Sequence, residues 1–235
     1  MEEAARSART GFFSASEMEA KEILQLLRKK ASPRNVRGMA RFGMSAQGRL
    51  GVSVPEMRRI ARLAGKDHRL ALALWKTEIA EARIVASMVA EPDKVTARQM
   101  ETWVVGIDSW DICDQVCGNL WDKTPLAWGK LRAWTRREEE FVRRAGFALI
   151  AYLAWHDKQA ADARFVAVLP LIRRGAVDER NFVKKAVSWA LRNIGKRNPA
   201  LRRESLRLAK ELRLSDSRAA RWVGADALRE LARPR

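Results

Sequence analysis

The sequence predicts an all-α protein. Apolar residues recur at helical spacing along nearly the whole chain, and almost no segment alternates apolar and polar residues as a strand would. The 235 residues include only 13 glycines and 7 prolines, so few positions interrupt a helix. Most of the predicted helices are short and follow one another through short links, without one long bundle pattern. We therefore expect helical pairs stacked as an α-solenoid.

The boundaries of these helices follow from the apolar periodicity and from the prolines. Pro33, Pro55, Pro92, Pro125 and Pro199 each suit a first helical turn or a connection. The predicted helices span residues 16–30, 34–44, 55–64, 68–76, 79–90, 96–105, 109–121, 125–134, 138–155, 160–174, 179–196, 199–212 and 216–231. We expect residues 1–15 to form a flexible N-terminal tail and residues 16–235 to form a single domain.

The composition is that of a globular protein with a sizeable core, since 47% of the residues are hydrophobic. No stretch approaches the roughly 18 to 20 apolar residues of a membrane span. The N-terminal residues MEEAARSARTGFF lack the basic flank and apolar run of a secretory signal. The sequence therefore predicts a cytoplasmic protein with no membrane partner.

The charge is strongly positive and unevenly distributed. The net charge is +18, and the 26 basic and 12 acidic residues from Gly129 to the C-terminus supply +14 of it. Such an asymmetry favours a polyanionic partner, and nucleic acid is the default one for a soluble cytoplasmic protein. A basic surface that reflects only an Arg-rich proteome is the alternative.

The sequence lacks the residues or motifs of several common kinds of functional site. Cys113 and Cys117 lie four residues apart on one predicted helix, which is poor disulfide geometry and half a zinc site, and His68 and His156 are remote in sequence. The chain has no P-loop, no dinucleotide-binding glycine pattern and no Gly-x-Ser-x-Gly elbow. We expect neither a metal nor a cofactor, and we interpret the cysteines as small buried residues.

The helix over 109–121 places a carboxylate and a tryptophan together on one face. A step of 100° per residue predicts a buried stripe of Ile112, Cys113, Val116 and Leu120, and an opposite face of Trp110, Asp114, Cys117 and Trp121. A tryptophan and an aspartate one turn apart, away from the core, are an unusual pair to leave on a surface. Because large aromatic residues usually pack, the pattern alone favours packing of Trp110 against a neighbouring repeat, with Asp114 capping a helix or pairing with an arginine. The alternative is a functional surface.

Two later helices place basic residues beside their core stripes. In 138–155 the stripe is Phe141, Ala145, Leu149 and Tyr152, and at least one of the adjacent Arg143 and Arg144 should face the polyanion. In 179–196 the stripe is Val183, Val187, Ala190, Leu191 and Ile194, and the other side carries Lys185, Ser188, Trp189, Arg192 and Lys196. Cations that line a groove hold phosphates, and an aromatic ring among them offers a surface for a sugar, a base or a cation. The alternative is a solvated face on which basic side chains cover Trp189.

Four segments carry a family resemblance, namely GVSVPEMRRIAR (51–62), SWDICD (109–114), FVRRAGFALI (141–150) and FVKKAVSWALRNIGKRNP (182–199). Together they resemble the AlkD-like DNA alkylation repair glycosylases. Order and spacing fit, and the resemblance covers residues 17–231. It implies a curved stack of HEAT-like helical pairs whose concave basic face grips duplex DNA. It also implies excision of cationic alkylpurines, of the 3-methyladenine and 7-methylguanine type, without flipping the base into a pocket.

The resemblance also implies roles for individual residues. It makes Asp114 the catalytic carboxylate, Trp110 and Trp189 the aromatic residues beside the lesion, and Arg144 a DNA contact. The remaining candidates for phosphate contacts are Lys185, Arg192, Arg143 and Lys196. The implied partner is double-stranded DNA containing alkylated bases, with no cofactor, and the protein is expected to be a monomer.

The leaving group explains why one carboxylate suffices for this chemistry. A 3- or 7-alkylpurine already carries positive charge, so its glycosidic bond breaks without a general acid. What remains is to stabilise the oxocarbenium-like sugar and to position water, which Asp114 is suited to do. Two alternatives stay open, namely a non-catalytic relative that binds DNA structures and a HEAT-type scaffold for protein partners.

Overall fold

The computed structural model describes residues 18–232, which form fourteen α-helices and two 3-10 turns and contain no strand. The helices are α1 (Ala20–Lys29), α2 (Pro33–Ala40), α3 (Val54–Ala64), α4 (His68–Trp75), α5 (Ala80–Val89), α6 (Ala97–Val105), α7 (Trp110–Asn119), α8 (Ala127–Trp134), α9 (Glu140–His156), α10 (Asp162–Val166), α11 (Leu169–Gly175), α12 (Asn181–Arg197), α13 (Pro199–Arg213) and α14 (Arg218–Leu231), and the turns are Pro92–Lys94 and Trp121–Lys123. The predicted tail, residues 1–15, lies outside the described residues.

The helix starts follow the local sequence. Ser32, Asp67, Thr96, Asn198 and Ser217 each precede a helix and accept a hydrogen bond from a backbone N–H of its first turn. Of the five prolines predicted to mark a first helical turn or a connection, four lie in the first turns of α2, α3 and α13 and in the first 3-10 turn, and Pro125 lies in the connection before α8. Local capping chemistry therefore accounts for many of the boundaries.

One predicted helix, 160–174, is wrong, because the structure divides it into α10 and α11. Pro170 lies in the first turn of α11. A proline inside a continuous helix removes a backbone donor and collides with the carbonyl four residues earlier. The chain therefore ends α10 at Val166 and starts again at Leu169.

Six helices form a continuous row in the order α3, α5, α7, α9, α12 and α14, each packed against the next. In addition, α4 packs on α5, α8 packs on α9, and α13 packs on both α12 and α14. This arrangement of helical pairs is that of an α-solenoid, so the predicted fold class is confirmed. Within this row, α7, α9, α12 and α14 carry the side chains described below.

The helices inside the row are buried on more than one face. In α9 every residue from Arg144 to Ala151 is buried. No helix within residues 18–232 is long and apolar enough to cross a membrane.

The predicted outer face of α7 is wrong for Cys117 and Trp121, which are fully buried. The reason is that α5 and α9 both contact α7, while Trp121 follows the end of the helix in a 3-10 turn, where a 100° step no longer applies.

The close approach of α9 to the end of α8 depends on Gly146. A Cβ atom at this position would lie 2.6 Å from the backbone nitrogen of Thr135, and a backbone atom cannot move aside cheaply. We expect Gly146→Ala to destabilise the fold by about 1–3 kcal/mol through overpacking, measured by denaturant unfolding.

Gly129 supplies the matched control for this change. It lies in α8, is exposed, and has no atom within 4 Å of an added Cβ. Gly129→Ala should be neutral or stabilising by up to about 1 kcal/mol, since alanine is the better helix former. Equal effects of the two substitutions would contradict the packing explanation.

Candidate functional site

A surface cleft of about 390 Å³ opens across the last four helices of the row. Its lining side chains are Asp114 from α7, Arg144 from α9, Lys185, Trp189 and Arg192 from α12, and Trp222 and Asp226 from α14. Five of these seven side chains are charged, and the other two are tryptophans. We call this space the Asp114 cleft.

Arg144 and Asp114 form a bidentate ion pair in the Asp114 cleft. Arg144 donates from Nε to Oδ1 of Asp114 at 2.9 Å and from Nη2 to Oδ2 at 2.8 Å. Its third nitrogen, Nη1, donates to the carbonyl oxygen of Phe182 at 2.6 Å. The Arg144 side chain is only 7% exposed. Arg144 therefore lines the cleft without being solvated, because its guanidinium is enclosed by α7 and α12.

Burial also changes the acidity of Asp114. Loss of solvent raises the pKa of its carboxyl group, and the Arg144 guanidinium opposes that shift. Each carboxylate oxygen accepts a charge-assisted hydrogen bond from the same arginine. In this arrangement Asp114 is fixed in place, and a new partner for either oxygen has to compete with Arg144.

Trp110 lies at the start of α7, close to Arg144. The Arg144 guanidinium carbon is 5.8 Å from the centre of the Trp110 ring, a cation–π distance. The indole Nε1 donates to the carbonyl oxygen of Phe42 at 3.0 Å. Trp110 is half-buried and does not pack into the core, so its ring borders the ion pair.

The loop before α3 fixes the start of α7. Arg49, whose side chain is 2% exposed, donates to both oxygens of Asp111 at 2.7 and 2.9 Å. The loop itself is held by Glu81 of α5, which accepts hydrogen bonds from the backbone N–H groups of residues 50, 51 and 52. Asp111 therefore has a structural role, and two parallel Arg–Asp pairs anchor successive turns of α7.

The periodicity predicted Lys185 and Ser188 on the same open face of α12, but only Lys185 is exposed. Lys185 is exposed, and no acidic group of residues 18–232 lies within ion-pair distance of it. Ser188, predicted on the same open face, is fully buried and donates from Oγ to Asp226 of α14 at 2.6 Å. The prediction failed for Ser188 because α14 covers that part of α12. Trp189 remains half-buried in the wall of the cleft.

The other predicted DNA-binding cations each have an acidic neighbour. Arg192 pairs with Asp226 at 3.4 Å and with Glu230, Lys196 pairs with Glu230, and Arg143 pairs with Asp178 at 3.2 Å. Hydrogen bonds from Lys196 and Arg192 outweigh the effect of burial and lower the pKa of Glu230. Arg143 lies outside the cleft lining, and Lys196 lines a second cleft behind Trp189.

Comparison with known proteins identifies the family. The sequence profile described as DNA alkylation repair enzyme matches residues 23–231. The chain belongs to the DNA alkylation repair enzyme family. A comparison with curated proteins found no match.

Solved structures of two kinds are similar to this family member. One belongs to a new family of proteins related to the HEAT-like repeat DNA glycosylases with affinity for branched DNA structures. It has 18% sequence identity and a TM-score of 0.76, over 93% of this chain and 98% of that chain. A designed armadillo repeat protein aligns with 13% identity and a TM-score of 0.39, over 91% of this chain and all of that one. The first likeness identifies the fold as that of the HEAT-like repeat proteins.

Three residues of α14 also lie in or beside the Asp114 cleft, although the sequence did not predict them. Trp222 and Asp226 line the Asp114 cleft, and Glu230 pairs with two of its neighbouring cations. These three residues are spaced four apart along α14, so they form one stripe of the helix. That spacing was the available signal, but the segments that carry the resemblance end at Pro199.

The cysteines of this family member have packing roles. Cys113 and Cys117 are fully buried, and their sulfur atoms lie 3.7 Å from backbone carbonyl oxygens of α9. Burial raises the pKa of the Cys117 thiol well above its usual range. Over residues 18–232, no group of three or more His, Cys, Asp or Glu side chains is placed to hold a metal ion.

The Arg144–Asp114 pair should make a large contribution to stability. We expect Arg144→Met, which keeps the apolar stem but removes the charge, to lower the free energy of unfolding by roughly 3 kcal/mol, because a buried carboxylate loses its partner. Adding Asp114→Asn should recover part of this loss. The measurement is urea unfolding of both variants and the wild type.

The exposed Lys185 provides the control. Lys185→Met lies in the same cleft and should change stability by no more than about 0.5 kcal/mol. If Arg144→Met were equally mild, the pair would not hold α7, α9 and α12 together.

Proposed function

We propose that the protein is a monofunctional DNA glycosylase that acts as a monomer. Its substrates are cationic alkylated purines of the 3-methyladenine and 7-methylguanine type in duplex DNA. In this proposal Asp114 is the catalytic carboxylate, Trp110 and Trp189 contact the sugar and backbone beside the lesion, and the cations of the cleft hold phosphates. No metal or cofactor takes part.

The observation that carries the proposal is the composition of the Asp114 cleft. Asp114 is fixed there by Arg144, Trp189 and the exposed Lys185 lie along the wall, and Asp226 is a second carboxylate that Ser188 and Arg192 hold. A polyanion needs a cationic surface, and a reaction that develops positive charge needs an anion beside the reacting carbon. Charged side chains make up most of the lining, which suits a sugar–phosphate backbone better than a base and supports excision without base flipping.

The proposed chemistry is hydrolysis of the N-glycosidic bond. The bond from C1′ to the purine nitrogen breaks, and its electron pair leaves with the base and neutralises the positive charge there. The Asp114 carboxylate stabilises the oxocarbenium-like sugar and orients a water molecule toward C1′. Water adds to C1′ and its proton passes to solvent, so the products are the neutral alkylpurine and an abasic site.

Arg144 gives this site a resting state. It occupies both oxygens of Asp114. A DNA phosphate that enters the cleft offers the guanidinium a second anionic partner of matching geometry. We propose that Arg144 then shares its donors between Asp114 and that phosphate, which leaves one carboxylate oxygen to face the sugar and the water.

A second candidate function is binding of DNA without excision. Its specific support is the same closed pair, since a carboxylate that stays bound to Arg144 does not reach the sugar. The similarity to a protein family with affinity for branched DNA structures also favours this candidate. Catalysis and binding differ in whether Asp114 acts on the DNA, so a charge-removing substitution separates them.

The substitution Asp114→Asn tests the catalytic assignment. It keeps the size of the side chain but removes the negative charge, so we expect the excision rate to fall by a factor of 100 or more, in the range typical for loss of an electrostatic stabiliser, roughly 10²–10³-fold. DNA binding should persist or tighten, because a negative charge has left a phosphate-binding surface. The measurement is single-turnover release of 7-methylguanine from a defined duplex, with binding measured by gel shift.

Asp108→Asn is the matched control. Asp108 precedes α7, is exposed, and undergoes the same chemical change at a position outside the cleft lining. Asp111→Asn is unsuitable, because Asp111 anchors α7 through Arg49. Wild-type excision by Asp114→Asn would refute the catalytic role, and a wild-type protein that binds DNA but releases no base would make the non-excising binder the better assignment.

A second test concerns the cations that α14 neutralises. Glu230→Gln removes the carboxylate that pairs with Arg192 and Lys196. We expect tighter duplex binding at low salt, and a plot of log affinity against log salt concentration that is steeper by about 1–2, because up to two more cations contact phosphates. The measurement is a titration by fluorescence anisotropy at several salt concentrations.

Glu204→Gln controls for the change in net charge. Glu204 pairs with Arg207 on α13, outside the lining of the cleft. It should leave the salt dependence unchanged. If Glu230→Gln gave the same slope as the wild type, Arg192 and Lys196 would not be phosphate contacts.

A further inference from the structure

A second cleft of about 500 Å³ lies on the far side of Trp189, at the C-terminal end of α9. Its walls combine the rings of Tyr152, Trp155 and Trp189 with the basic side chains of Lys158, Lys196 and Arg197. Trp189 belongs to both clefts, so they share one wall. We call this second space the Trp155 cleft.

The aromatic rings of the Trp155 cleft form a continuous strip. The Tyr152 ring contacts Trp189 edge-on at 5.0 Å between centroids and lies 5.5 Å from the His156 ring, which is 4.7 Å from Trp155. The strip ends on Trp155, whose residue surface is 59% exposed. An indole that open is a free stacking surface at the end of an otherwise packed row of rings.

The strip is held rigidly by the neighbouring helix. Arg197 of α12 donates to the carbonyl oxygens of Ala154, Asp157 and Ala160 and stacks over Phe165 at 4.2 Å. Asn193 donates to the carbonyl oxygen of Ala151 at 3.1 Å. These bonds fix the backbone of the last turns of α9, so the backbone that carries Trp155 does not have to be ordered when a ligand stacks on its ring.

Charge decides which kind of partner fits this surface. A protein partner favours an aromatic residue inside an apolar patch, whereas here the rings are bordered by basic side chains. Lys158 is exposed at the rim, and no acidic group of residues 18–232 lies within ion-pair distance of it. Flat apolar faces interleaved with cations are the chemistry that binds nucleotides, with bases on the rings and phosphates on the cations.

The geometry points to an unpaired DNA strand as the occupant. Within a duplex each base face is covered by its neighbours, so away from the duplex ends only an unpaired base has a face to offer to Trp155. We propose that the Trp155 cleft binds unpaired nucleotides that adjoin a duplex held over the Asp114 cleft, with a base stacked on Trp155 and a phosphate on Lys158. This binding site is independent of whether Asp114 excises a base.

The test compares two undamaged DNA probes that share one duplex, either blunt or with a single-stranded overhang of six thymidines. We expect Trp155→Ala to weaken binding of the overhang probe roughly tenfold, within the range for loss of one base-stacking partner. It should leave the affinity for the blunt duplex unchanged. Trp155→Phe should restore most of the loss, because a ring is present again. Affinities are measured by fluorescence anisotropy.

Lys158→Ala provides a second, independent variant and should weaken binding of the overhang probe alone. Lys210→Ala, an exposed lysine of α13, controls for the loss of one positive charge and should affect both probes slightly and equally. Equal weakening of both probes by Trp155→Ala, or no effect on either, overturns the proposal. Because the probes carry no lesion, failure here is distinct from failure of the excision test.

Discussion

The Arg144–Asp114 ion pair is the contact on which the arrangement of the central helices depends. One guanidinium joins α9 to the carboxylate of α7 and to a backbone carbonyl of α12. Removing two charges from water is costly, and the cost is offset only where the geometry is good and the remaining donors are satisfied. Here Nε, Nη1 and Nη2 of Arg144 each have an acceptor. The same bond that organises the row therefore also fixes the carboxylate with which the chemistry is proposed to occur.

The net charge of the chain is a poor guide to the charge of its cleft. Although the protein carries +18, four of the five cations that the sequence nominated for DNA are held by acidic groups, two of them by Glu230 of α14. In the proposed function, DNA binding at this surface would be an exchange, in which a phosphate replaces a carboxylate as the partner of each cation. Such an exchange would gain less electrostatic energy than binding to free cations, and it would make the last helix a determinant of affinity. Lys185 differs, because no ion-paired carboxylate has to be displaced from it.

The sequence predicts the fold well and the site in part. Helical periodicity is a local property, and it recovered nearly every helix and the whole apolar stripe of α12, whose five members are fully buried. It failed where a helix has neighbours on two sides, as for Cys117 and Ser188. Periodicity also cannot reveal that Asp114 and Arg144, thirty residues apart, form a pair, because this depends on how α7 and α9 meet. The α14 residues were missed because the motif that carries the resemblance stops before them.

A single helix, α7, positions both the carboxylate and the aromatic wall beside it. Gly118 follows Asp114 by one turn, and a Cβ atom at Gly118 would lie 2.3 Å from the Tyr152 ring. The absence of a side chain there lets Tyr152 lie directly on α7, from where its ring supports Trp189 edge-on at 5.0 Å. Any shift of α7 relative to α9 would therefore move the Asp114 carboxylate and the wall shared by the two clefts together. The arrangement ties the proposed catalytic carboxylate and the proposed strand-binding wall to one helix, which is what a reaction that relies on positioning requires.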